Sequence, residues 1–258
     1  MDDAVPRLLT ERPKPHIVVI TINRFERRNA FDRATALAME EAIDTFEQDP
    51  DLRVAVITGA GGTFCAGQDL IAAVDGDLAL SDRRGGFGII TERPNKPVIA
   101  AVEGYALAGG LELCLACDLI VASSDAVLGI PEAAKALVAI GGGLLRLPKR
   151  IPYHLAMELA LTGDHWPATE FHRLGLINRL TPPGQALSAA LELAERVAAS
   201  GPAAVRASVQ VVRRAYDWPE PQAWELQDEL VKPALEAEDR NEGLLAFAEK
   251  RQPIWTGR

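Results

Sequence analysis

The sequence predicts an α/β fold, and three observations carry that expectation. Short β-branched runs bounded by Gly, Pro or Asp recur through the first half, an amphipathic segment separates the first two, and alanine-rich helical stretches take over after about residue 150. The runs are residues 17–22, 54–58, 98–102, 119–122 and 127–130, mostly too short for helices and so read as buried strands. Between the first two, residues 32–48 form a helix: Asp32 is its N-cap, Met39, Ala42, Ile43 and Phe46 share one face, and Asp49-Pro50 ends it. The result is a strand-helix-strand unit. Residues 185–200 and 202–216 are further helices, with Pro148, Pro152 and Pro182-Pro183 marking joins. No long linker, internal repeat or low-complexity tract interrupts the chain.

At 258 residues, 48% hydrophobic and 24% charged, the chain has the composition of an ordinary globular protein with one main domain. The first fifteen residues lack a basic start followed by an apolar run, and no stretch approaches the roughly 20 apolar residues of a membrane span. Three cysteines, at 65, 114 and 117, are too few for a disulfide scaffold, so a reducing, cytoplasmic setting is expected. A net charge of −9 disfavours nucleic acid as a partner but leaves room for a small phosphorylated ligand. One basic cluster, Arg24, Arg27 and Arg28, lies in a turn where it could meet phosphates or simply be solvated.

Two glycine-rich segments fail as nucleotide motifs. Residues 59–64 lack the third glycine of a dinucleotide fingerprint, and Gly141-Gly142-Gly143 lacks a following Lys-Ser/Thr and reads as a turn. Residues 104–112 are different, because they join the strand at 98–102 to a helix beginning near Leu111. The N–H groups of Gly109 and Gly110 then lie free at a helix start, where unpaired donors and the helix dipole stabilise a negative oxygen. Glu112 sits in the first turn of that helix. A carboxylate is common there for electrostatic reasons alone, but Leu111, Leu113 and Leu115 mark the helix as buried, where a carboxylate seldom occurs without a partner or a task. Glu132, after Pro131, has similarly apolar surroundings.

Cys114 and Cys117 have no second pair at zinc spacing and read as core residues, so no metal is expected. The four histidines are scattered, no G-x-S-x-G elbow occurs and Asp69 has no base beside it, which argues against a hydrolase triad. Asp69 is expected instead to cap the loop around residue 68.

Residues 63–70 (TFCAGQDL), 96–113 (KPVIAAVEGYALAGGLEL) and 129–132 (GIPE) resemble, in order and spacing, the signature blocks of the enoyl-CoA hydratase/isomerase (crotonase) superfamily. Residues 159–163 and 175–178 also fall where that family has similar segments, and the resemblance runs from about residue 17 to the C-terminus. It implies a spiral of ββα units over residues 1–190 and a helical region over residues 191–258 serving oligomerisation and covering the site. It implies that Gln68 and Gly109 supply backbone N–H groups to a thioester oxygen. Glu112 and Glu132 then match the two glutamates of the family's hydratases, whose substrate is an acyl-CoA and whose only coenzyme is that substrate's own CoA. A CoA site around Arg28, Ala30, Ala66, Asp69 and Leu70, with Phe247 and Lys250, follows on the same grounds, as does a homotrimer or dimer of trimers. Retention of both glutamates favours a hydratase over a one-glutamate isomerase or a non-catalytic acyl-CoA binder. Residues 143–149 and 241–258 resemble the carnitinyl-CoA dehydratase branch in particular. The chain departs from many hydratases at Ala136 and at Ala139-Ile140, where they have Gly and Pro-Gly, a change that bears on the water position. The loop of residues 72–93 is expected to help set acyl specificity, and its Gly- and Asp-rich stretch at residues 74–78 to be mobile.

Overall fold

The computed structural model describes residues 5–258. Strand β1 (Leu8–Lys14) runs antiparallel to β2 (Ile17–Ile22); helix α1 (Arg33–Gln48) then leads to β3 (Val54–Gly59), which pairs parallel with β2. This is the expected strand-helix-strand unit. A short helix α2 (Leu70–Val74) is followed by β4 (Val98–Val102), β5 (Tyr105–Leu107), α3 (Gly109–Ala116), β6 (Leu119–Ser123) and β7 (Val127–Gly129). The six-stranded sheet has the order β1-β2-β3-β4-β6-β9, with β9 (Arg179–Thr181) parallel to β6. β4 and β6 each pass the chain to a strand of a second, smaller sheet, in which β5 and β7 are parallel and β8 (His165–Pro167) is antiparallel to β7. This repeated winding between two sheets is the spiral expected from the resemblance.

The central strands are buried on both faces. Ile17, Val19, Val54, Val56, Ile99, Ala101 and Val121 pack on one side against Ala190, Ala194 and Ala198 of α7 (Ala186–Ala198). The alternate residues, including Ile20, Ile57, Ala100 and Val102, pack on the other side with Met39, Ile43 and Phe46 of α1 and the wholly buried α3. Burial on both faces makes each of β2, β3, β4 and β6 a continuous apolar run, which is why these four are legible in the sequence. β1 is mostly exposed and polar, and β5, β8 and β9 are three residues each, too short to carry a period.

Helices α4 (Gly143–Arg146), α5 (Tyr153–Thr162) and α6 (Ala168–Arg173) lie between β7 and β9, and α8 (Pro202–Arg214), α9 (Glu220–Glu236) and α10 (Glu238–Glu249) follow α7. The division at residue 190 falls inside α7, the helix that covers the sheet. The C-terminal tail turns back at Lys250 (φ 55°) and is held by Asp239, which accepts from the N–H groups of Thr256 (2.7 Å) and Gly257 (2.9 Å). Among the described residues no helix is long and apolar enough to cross a membrane.

The start of α1 is also a junction of charges. Asp32 accepts from the Thr35 N–H (2.8 Å) and hydroxyl (2.6 Å) and pairs with buried Arg24 (3.0 Å) and with Arg7 (2.9 Å). Burial pushes the Asp32 carboxyl up, but the Thr35 bonds and the two guanidinium charges more than offset this, and its pKa lies below the ordinary value. A depressed carboxyl contributes stability above its unfolded pKa and loses it as pH falls through the folded value. Asp32→Ala should therefore cost about 2 kcal/mol in urea unfolding at pH 7, from a lost cap and a buried Arg24 left with Asp69 as its one carboxylate partner, and less near pH 3. An equal loss at both pH values would contradict the electrostatic part.

Candidate active site

Two loops meet beyond the ends of β3 and β4. Asn29, buried and left-handed (φ 56°), donates from Nδ2 to the carbonyls of Ala60 (2.9 Å) and Thr63 (2.7 Å), which fastens the turn after β3. The chain then runs beside β5: Cys65 N–H donates to Tyr105 O (2.9 Å) and Leu107 N–H to Cys65 O (3.0 Å). The contact is too close for side chains. A Cβ on Gly67 (φ +95°) would lie 3.0 Å from Gly109 N, and one on Gly110 would lie 2.0 Å from Cys65 O. Neither the Gln68 N–H nor the Gly109 N–H donates to a protein acceptor among the described residues, so two adjacent loops leave unpaired donors, one of them at the head of α3. Ala108 turns the chain into that helix with φ 53° and ψ −127°, a strained conformation for a residue with a Cβ.

The Gln68 side chain also has a structural task, which sequence reasoning passed over. Its Nε2 donates to the carbonyls of Phe31 (3.2 Å), Asp69 (3.0 Å) and Asp77 (3.2 Å), and its Oε1 accepts from Ala79 N–H (2.7 Å). Asp77, in the stretch expected to be mobile, accepts from Arg33 N–H (2.8 Å), and the segment after it is held by Arg33 with Asp82, by Arg83 and Arg84 with Asp44, and by Glu40, which accepts from Arg84 N–H (2.6 Å). From this segment Phe87 packs on Phe31 (4.7 Å between centroids) and against Gly109, where an added Cβ would lie 2.2 Å from the ring.

Glu112 is buried one turn into α3, a helix apolar on every side. Its Oε1 accepts from Gly143 N–H (2.9 Å). Burial raises its pKa, opposed by the N–H groups of Gly143 and Gly141 and by the Arg146 charge. The turn at Gly141–Gly143 was foreseen, but its role as the seat of Glu112 was not. Glu132, half-buried, follows β7, and its Oε2 is buried without a hydrogen-bond partner among the described residues. Desolvation, together with the charge of Glu112, pushes its pKa up to about 7. The structure thus brings two widely separated glutamates close enough for the charge of Glu112 to bear on the ionisation of Glu132.

The residues expected around CoA divide into two groups. Arg28, Ala30, Ala66, Asp69 and Leu70 line one seam: Ala66 N–H donates to Arg28 O (3.0 Å), Asp69 N–H to Phe31 O (2.8 Å), and Arg28 and Leu70 are exposed. The basic cluster is split. Arg24 is buried, donates to Ala30 O and pairs with Asp32 and Asp69, so it is not a phosphate ligand, whereas Arg27 and Arg28 face solvent. Asp69 caps α2, accepting from Ile71 N–H (3.1 Å) and Ala72 N–H (3.3 Å), rather than the loop before it. Phe247 and Lys250 are elsewhere. The tail behind α10 is fastened through Trp255 to Ala199 O (2.7 Å) and to Arg53 (3.3 Å), at the start of β3, while the seam lies beyond its end. Phe247 is 87% exposed.

Cys65, Cys114 and Cys117 are free, fully buried thiols; burial pushes those of Cys65 and Cys117 up to about 12. They are inert core residues.

Comparison with known proteins gives one family. The family described as enoyl-CoA hydratase/isomerase matches residues 12–258. The chain is 41% identical over 260 residues to enoyl-CoA hydratase EchA19 of Mycobacterium tuberculosis, covering 98% of this chain and 97% of that one. It is 43% identical over 240 residues to carnitinyl-CoA dehydratase of Proteus mirabilis, covering 90% and 92%. Among solved structures, an enoyl-CoA hydratase from Mycobacterium tuberculosis H37Rv superposes with a TM-score of 0.95 at 48% identity, covering 98% of this chain and all of that one.

Proposed function

The chain belongs to the enoyl-CoA hydratase/isomerase family and acts as an enoyl-CoA hydratase, a hydro-lyase; from that premise we propose that Glu112 and Glu132 perform the proton transfers and that the Gln68 and Gly109 N–H groups bind the thioester oxygen. The observation that carries this reading is a buried Glu112 one helical turn from the unpaired Gly109 N–H, with the half-buried Glu132 close enough to feel its charge. When water adds to a 2-enoyl thioester, negative charge develops on the thioester oxygen, and two fixed donors stabilise it more than the ground state. Glu112, held by two N–H groups and near Arg146, is the better ionised partner and takes a proton from the water attacking the β-carbon. Glu132, with an unpartnered oxygen and a pKa of about 7, gives its proton to the α-carbon. One water is added across the double bond, and the pair ends with one proton as it began.

We assign the CoA moiety to the seam of Arg28, Ala30, Ala66, Asp69 and Leu70. Phe247 and Lys250, fastened away from that seam and exposed, would join it from another copy in a homotrimer or dimer of trimers; a mass of three or six chains by light scattering tests this. Three buried free cysteines support a reducing cytoplasmic setting.

The test is loss of conjugated enoyl-thioester absorbance with crotonyl-CoA and crotonobetainyl-CoA between pH 5.5 and 9. The protein should consume at least one of them, and the faster names the branch, a choice that similar identities to the two kinds of relative leave to experiment. Because Glu132 must be protonated, the rate should fall as pH rises beyond about 7. No turnover of either substrate by folded protein that still binds them would favour a non-catalytic binder. Migration of a double bond that persists in Glu112→Gln would favour an isomerase.

A further inference from the structure

The three glycines at 141–143 are wedged between two charged side chains. On one side is Glu112: a Cβ on Gly141 would lie 2.4 Å from its Oε2, and one on Gly143 would lie 3.1 Å from its Oε1. On the other side is Arg146: a Cβ on Gly142, itself at φ +93°, would lie 2.5 Å from its Nη1. The Arg146 guanidinium bridges this turn to the opposing loop, with Nη2 donating to Ile90 O (2.6 Å) and Nη1 reaching Gly141 O at 3.5 Å, while Arg146 N–H donates to Gly142 O (2.9 Å). The turn has no side chains of its own with which to hold its shape.

We infer that Arg146 is a positioning residue for Glu112: by locking the turn at Gly141–Gly143 against Ile90, it fixes the N–H groups that seat the Glu112 carboxylate. The inference rests on the assignment of Glu112 as the water-activating group. A cation is otherwise poorly placed here. Arg146 is largely desolvated, and it faces Arg150 after the next turn and Arg213 on α8, with Arg93 from the loop before β4 also close; Glu112 on α3 and the Cys117 thiol are the groups of opposite tendency. Asp118 is engaged by Arg213 (2.7 Å). A planar fork with two carbonyl acceptors explains an arginine in such company, and a lysine, with one compact charge, cannot bridge both loops in the same way.

The experiment is the pH dependence of kcat and KM for the parent, Arg146→Met, Arg146→Lys, Gly142→Ala and, as reference, Glu112→Gln. Arg146→Met should lower kcat roughly 10- to 100-fold with KM within about threefold, since a small misplacement of a reacting group is enough for such a loss. Its acid limb should move up by about one pH unit, because the ionised Glu112 loses a neighbouring positive charge and its fixed donors. Arg146→Lys should lower kcat while leaving the limb near its parental position. Gly142→Ala, whose Cβ displaces the guanidinium, should shift the profile in the same direction as Arg146→Met. If Arg146→Met fails to fold, the Lys and Ala variants carry the test. Parental kcat and an unmoved limb in the folded Arg146 variants, with Glu112→Gln inactive, overturn this inference alone. Parental activity in Glu112→Gln overturns it together with the assignment beneath it.

Discussion

Glu112→Gln and Glu132→Gln are each expected to lower kcat for enoyl-CoA hydration by about 10²- to 10⁴-fold, the usual worth of a positioned acid or base. Glutamine conserves the shape of both sites. Its carbonyl can still accept the 2.9 Å bond from Gly143 N–H at position 112, so KM and the fold should be little changed. Neither substitution removes a buried salt bridge, and both relieve the burial of an ionisable group, so melting temperatures should equal or slightly exceed the parent's. The double variant should lose scarcely more than the worse single one, because two groups sharing one proton act as a unit. In Glu112→Gln the neighbouring charge that raises the Glu132 carboxyl is gone, so its pKa should drop from about 7, visible as a downward move of the carboxyl titration near neutrality. Strict additivity of the two losses, or unaltered kcat in either variant, would remove the two-carboxylate mechanism.

Gly109→Ala should lower kcat by about 10²- to 10³-fold, the range seen when one oxyanion donor is displaced. The added methyl would meet the Phe87 ring at 2.2 Å, and either the ring or the head of α3 has to move. If the helix moves, the Gly109 N–H shifts relative to its counterpart at Gln68, and the loss falls on kcat with KM changed much less, because the oxyanion forms only beyond the ground state. Phe87→Ala placed on top should recover a large part of kcat by making room, at about 3–5 kcal/mol in stability for a buried ring removed from Phe31. A double variant no more active than Gly109→Ala, though folded, would show that the ring is not what transmits the damage. Gly110→Ala is a poorer probe. Its Cβ would meet a backbone carbonyl at 2.0 Å and disturb the whole junction.

The amino-acid sequence by itself determined the α/β class, the five buried strands, the capped helix α1 and the free N–H groups at residues 109–110. These are consequences of local order: a strand buried on both faces is an unbroken apolar run, and a cap is a polar side chain next to a helical period. The resemblance of its motifs to the crotonase family singled out Glu112 and Glu132, although on residues alone each had an ordinary explanation. Only the tertiary structure decided that the charge of Glu112 bears on Glu132, that Gly143 seats Glu112, that Arg24 is buried with Asp32 and Asp69 while Arg28 is exposed, and that the tail behind α10 is fastened through Trp255 to Ala199. These depend on contacts between segments far apart along the chain, Glu112 with Gly143 and Arg24 with Asp69 among them, and on which donors and charges surround a buried side chain, which the order of its neighbours along the chain does not give.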